Sequence, residues 1–172
     1  MGLCVSSGNG QARPRVALSE RQKVRSLGLL CTFARGCDAG ASARMAWIGL
    51  RSRLGTRAMR RAAFLEILAP PAVLQGRDRQ QMAAELALLL GHDLAEHPAI
   101  EMQQLRAMRA EDTTSALARL GALPTLVVSA AHDPIAPPSL GRQLASGIPG
   151  ARYEELTDQA HGAPILAATT VN

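Results

Sequence analysis

"TLVVSAAHDPIAPPSLGRQLASGIPGARYEELTDQAHGAPI", residues 125 to 165, carries the clearest succession of elements in the chain. It opens on "TLVVSA", an apolar, partly β-branched run short enough for a buried strand. Prolines and Ser139 then open "PPSLGRQLASGI", which reads as a helix, and "PGARYEEL" reads as a turn followed by a second strand. Strand, helix and strand in such a short span make a βαβ unit, so the two strands are expected to lie parallel. In parallel sheets, ligands and chemistry collect just past the carboxyl ends of the strands. Asp133 follows the first strand and His161 follows the second, in the loop "TDQAHGAPI". The unit therefore brings a carboxylate and an imidazole to one rim. There the aspartate can accept the Nδ1 proton, fix the tautomer, and stabilise the imidazolium that forms when Nε2 takes a proton from an attacking group. The prolines that follow Asp133 stiffen its loop, and Gly162 lets the chain turn just after the histidine.

Working outward, 172 residues of which 47% are hydrophobic are enough for one globular domain with a core. The longest apolar stretches fall short of the roughly 20 residues that cross a bilayer. The start, "MGLCVSSGNGQARPR", has its charge on the wrong side of a short, Gly/Ser-broken run for a secretory signal, so a cytoplasmic location is expected. It also matches the Met-Gly-x-x-x-Ser acylation pattern, with Cys4 placed for a second chain. Eighteen of the nineteen basic residues are Arg, a bacterial type of composition in which that lipidation is not expected. Cys4, Cys31 and Cys37 are odd in number and form no C-x-x-C pair, which argues for reduced thiols and against a disulfide framework or a zinc site. His92 and His97 are five apart, about 140° around a helix, so their imidazoles diverge. No metal or cofactor is expected.

Residues 1–15 read as irregular, or as the remains of an ordered turn. Val16 to Lys23 could form a short helix, and "VRSLGLLCTF" after it reads as a buried parallel strand. Residues 38–118 carry helical periods without a convincing strand. Met82, Leu86, Leu89 and Leu90 are expected on one face of a helix that stops near Gly91, Met102, Leu105 and Met108 recur every three positions, and Pro70 and Pro71 break the region. The expected organisation is 1–37, 38–118 and 119–172.

A net charge of +5 and a pI near 10.0 raise a nucleic-acid reading, concentrated in "RSRLGTRAMRRAAF". With one Trp, one Tyr and two Phe in the chain there is no stacking platform. The stretch reads instead as a solvated helix face with Leu54, Met59 and Phe64 turned inward. Neither nucleic acid nor membrane is expected as a partner.

The segment from Pro124 to Ile165 resembles the acid-to-histidine end of the α/β-hydrolase fold, in which a strand, an Asp with Pro nearby, a helix, a strand and an "AHG"-like loop follow in that order. "VRSLGLLCTFARG" is similar to the strand after the nucleophile helix in esterase- and lactonase-like members. The resemblance runs from Val16 to Ile165. It implies an α/β fold, a partial α/β-hydrolase with parallel strands, flanking helices and a helical cap over 38–118. It also implies a serine nucleophile in a G-x-S-x-G elbow. Counted back from "VRSL" without gaps, Ser7 takes that position, with Val5 and Asn9 where the glycines belong. Ser6 is the alternative, which restores Gly8 but leaves Cys4 at the earlier position. Pro14 falls inside the implied helix.

Three functions follow as expectations. The first is hydrolysis of an ester, lactone or similar small apolar acyl substrate, with Ser7 (alternatively Ser6) attacking, His161 as base and acid, Asp133 orienting it, and the Gly8 N–H binding the oxyanion. The second is an inactive, truncated form of such a hydrolase, whose uncovered sheet edge invites self-association. The third is a basic module for nucleic acid or an anionic surface.

Overall fold

Four strands lie side by side in chain order, all parallel: β1 (Gly2–Val5), β2 (Ser26–Leu30), β3 (Thr125–Ala130) and β4 (Arg152–Leu156). The computed structural model describes residues 2–5, 17–19, 23–35, 43–96, 103, 110 and 112–171, with the backbone alone at 2–5 and 170–171. The expected βαβ unit is present, with Leu126 to Ala130 in register with Arg152 to Leu156. The helix between these strands, α5 (Pro138–Gly147), starts with Pro138 in its first turn, where a missing N–H costs nothing. Ser139 does not cap it: Pro137 holds the cap position without a side-chain bond.

One correction concerns the amino end. The opening residues, read as irregular, contain β1, in register with β2 from Gly2↔Ser26 to Val5↔Leu29. Four residues carry too little alternation to show as a strand, and their pairing is with a segment well down the chain. Residues 17–19 of the expected short helix are helical, and Ala17 is buried.

The sheet's main core joins Leu27, Leu29 and Val127 to Leu144 and Ile148 of the α5 layer, and to Leu117 and Leu120 of a 3-10 helix, Thr114–Leu120. Truncating Leu144, which is fully buried, would cost about 2–5 kcal/mol. Gly141 of α5 sits so close to the sheet that a Cβ there would lie 1.9 Å from Ser129 Oγ. Helix and strand therefore meet at near-backbone contact under the carboxyl end of β3.

The middle of the chain is helical as expected: α1 (Ala43–Leu54), α2 (Arg57–Leu68), α3 (Pro71–Gly76) and α4 (Arg79–Leu90). Leu65, Leu68, Leu74, Met82, Leu86 and Leu94 form its own core. Thr56 caps α2 by accepting from Met59 N, and Asp78 caps α4 by accepting from Gln80 N and Gln81 N. Gly91 ends α4 in the left-handed conformation, φ 78°. Three residues placed on apolar faces are exposed here. Leu54 and Met59 face out, because the chain breaks at Gly55 and Thr56 and the helical phase restarts. Leu89 is exposed as well, since the buried face of α4 is turned toward Ala83. Met102, Leu105 and Met108 lie outside the described residues.

Candidate active site

Asp133 lies three residues beyond β3, and His161 five beyond β4. Their loops are tied to each other before the side chains meet. Ala131 N donates to Leu156 O at 3.0 Å and His132 N to Gln159 O at 2.9 Å. The imidazole Nδ1 of His161 is 2.8 Å from Asp133 Oδ2. Asp133's other oxygen accepts from Ile135 N and Ala136 N, both at 2.8 Å. Pro134 has no N–H to offer, so these two donors are the next in line, and the turn they close holds the carboxylate rigidly. The Asp133 side chain is 0% exposed. A carboxylate so buried and so fully hydrogen-bonded is placed to accept from Nδ1, the arrangement in which Nε2 is the basic nitrogen of the ring. His132, beside the acid, is exposed.

Two further residues complete the rim. Cys31 directly follows β2 with φ 48°, the only positive value at a non-glycine among the described residues. It is buried, and burial together with the Asp133 carboxylate pushes its thiol up to about 12. Such a thiol stays protonated and is no nucleophile at neutral pH. Gly162 N donates to Leu68 O at 2.9 Å, which joins the histidine loop to the carboxyl end of α2. A Cβ on Gly162 would lie 2.5 Å from that carbonyl oxygen. Sequence reasoning gave Gly162 a turning role. Its φ is −78°, so close approach, not a special dihedral, is what requires glycine here.

Ser7, its alternative Ser6, and Gly8 lie outside the described residues. β1 ends at Val5, on the same rim as Cys31 and the two loops, and the serines follow it in sequence. His92 Nδ1 lies 3.1 Å from the neighbouring Asp93 carbonyl, while His97 is also outside the described residues. Among the described residues no helix is long and apolar enough to cross a membrane.

No protein-family model matches the sequence. Solved structures do resemble it. The enol-lactonase of Burkholderia xenovorans LB400 is 25% identical with a TM-score of 0.69, covering 99% of this chain and 62% of that one. A hydrolase of Pseudomonas aeruginosa PA01 is 26% identical with a TM-score of 0.65, covering 96% and 59%. A thermophilic esterase of Thermogutta terrifontis is 22% identical with a TM-score of 0.68, covering 97% and 59%. The parallel strand order and these likenesses show that the chain has part of the α/β-hydrolase fold. It spans about 60% of the length of the structures it matches.

Proposed function

We propose that the protein hydrolyses an ester, a lactone or a similar small apolar acyl substrate through a serine, His161 and Asp133. The observation that carries the reading is the 2.8 Å contact between His161 Nδ1 and Asp133 Oδ2, made by a carboxylate whose other oxygen is held by two backbone donors. Ser7, or Ser6, attacks the acyl carbonyl as His161 Nε2 takes its proton. The imidazolium so formed is stabilised by Asp133, and the proton passes to the leaving alkoxide as the acyl-enzyme forms. Water, deprotonated by the same nitrogen, then releases the acid. The Gly8 N–H is assigned to the developing oxyanion, a donor whose loss costs about 10² to 10³ in rate in enzymes of this kind. Residues 38–118 act as the cap over the substrate. The enol-lactonase and esterase likenesses agree with the substrate class.

The test is covalent labelling of the purified full chain by a serine-directed alkyl phosphonate, followed by peptide mapping. The expected result is one modified peptide, carrying Ser6 and Ser7, with labelling abolished in Ser7→Ala and undiminished in Ser6→Ala. Absence of label, with ester turnover unchanged in His161→Ala, rules the mechanism out.

A further inference from the structure

Cys31 takes no part in the proton transfers proposed above, yet it stands where they are organised. It is 1% exposed and packs with Ala130, at the end of β3 just before the Asp133 loop, and with Ala163, just past His161. Its thiol is hydrogen-bonded to the Asp133 side chain, and its backbone N–H donates to Val128 O at 2.9 Å. Backbone and side chain are thus both held.

An ionised carboxylate offers about four acceptor sites. On Asp133, Ile135 N and Ala136 N fill those of Oδ1, and His161 Nδ1 takes one on Oδ2. The thiol of Cys31 supplies the remaining donor. The Asp133 side chain is 0% exposed, so bulk water does not supply it. The backbone argues the same way. Glycine adopts a φ of 48° without strain, whereas a residue with a Cβ held there keeps its side chain at a cost. Strain of this kind collects at functional sites. Here it retains a thiol facing the acid.

A thiol suits the task because it is a weak donor. It steadies the carboxylate and leaves most of the charge for the imidazolium. The other neighbours bring no charge: Ala130, Ala163 and Leu156 surround the thiol, and Leu68 meets the histidine loop. Among the described residues, Asp133 is the charged group that acts on Cys31.

We propose that Cys31 is a positioning residue for Asp133: its thiol donates to the carboxylate that holds His161, fixes the orientation of that carboxylate and limits how strongly it stabilises the imidazolium. The role rests on the assignment of Asp133 and His161 as the acid and base of a hydrolase.

The test is an NMR titration of the imidazoles in the full chain, which carries four histidines, with the His161 signals assigned by difference from His161→Gln. Removing the donor concentrates the carboxylate's charge on the imidazole. In Cys31→Ala the midpoint of the His161 titration is expected to rise by about 0.5 pH unit, roughly a threefold gain in proton affinity. Cys31→Ser keeps a donor and is expected to stay at the parent midpoint or fall below it. Cys31→Gly relieves the φ of 48° while losing the thiol, so it keeps the test open if Cys31→Ala fails to fold, and its midpoint is expected to rise as well. A midpoint unmoved in the folded Ala or Gly variant, or raised as far in Cys31→Ser, assigns Cys31 to packing and overturns the proposal. This readout needs no turnover, so it decides the role of Cys31 even where the parent takes no phosphonate label and the hydrolase reading fails. Where the parent does label, the acid limb of the labelling rate should move with the midpoint, and a limb that stays put also overturns the proposal.

Discussion

Gly162 and Leu68 are joined through their backbones: the Gly162 N–H donates to the Leu68 carbonyl at 2.9 Å, so the loop carrying His161 is anchored on the carboxyl end of α2. Ala69 and Pro70, which follow Leu68, are buried, so the acceptor has little room to retreat. Gly162→Ala would set a Cβ 2.5 Å from that oxygen. Relief requires the loop to move, and overpacking of this kind costs about 1–3 kcal/mol. The expected outcome is a lower melting temperature together with a loss in phosphonate-labelling rate larger than the unfolded fraction explains. A variant that melts lower yet labels at the parent rate would show that the anchor is structural only.

Asp133 offers a sharper separation of chemistry from folding. In Asp133→Asn the amide oxygen can still accept from Ile135 N and Ala136 N, while its NH₂ now faces Nδ1 and favours the wrong tautomer. Ester turnover is expected to fall by roughly 10⁴-fold, with stability close to that of the parent. Asp133→Ala also strands two backbone donors and should lose a further 1–3 kcal/mol or so for each. Denaturant midpoints and initial rates on the two variants check both halves.

What the sequence made legible was local. The β3–α5–β4 unit could be read because its pattern changes from strand to helix to strand without interruption, and parallel pairing then fixed the rim on which Asp133 and His161 meet. β1 escaped notice because Gly2–Val5 acquires its strand character only by pairing with β2. The outward turn of Leu54 and Met59 was hidden by Gly55, which resets the phase between two helices that read as one arginine-rich stretch. Cys31 and Leu68 could not be assigned to the site at all. Each reaches it through contacts distant in sequence, and a thiol after an apolar run or a leucine near a helix end gives no signal of that.

The helical region has an electrostatic tie that acid should dissolve. Arg61 and Arg57, helped by the Ala95 N–H, hold the Asp93 carboxyl far below the usual carboxylate range. Since its folded value is depressed, its contribution is present above the unfolded value of about 4 and fades as pH falls toward the folded one. Asp93→Asn is therefore expected to melt below the parent at neutral pH, with the gap narrowing once the pH drops under about 4. Melting curves of the two proteins across that range decide the matter, and a gap independent of pH would mean that the arginines contribute packing alone.

Cys31 makes the opposite prediction at the alkaline end. The folded chain holds its proton to about pH 12, through burial first and the Asp133 carboxylate second, against an ordinary value near 9.0. Between those values the unfolded chain has lost a proton that the folded chain keeps, so the stabilisation is complete below pH 9 and declines as pH rises, by about 1.4 kcal/mol per unit at most. With Cys4→Ser and Cys37→Ser in the background, Cys31 is the one remaining thiol. It should react with a disulfide reagent only as fast as the fold opens, at a rate that accelerates with denaturant. Adding Cys31→Ala should flatten the alkaline fall in stability, whatever it does to the melting temperature at pH 7. Immediate labelling of the native thiol at pH 8 would show the rim to be open to solvent and Asp133 to be less enclosed than its contacts require.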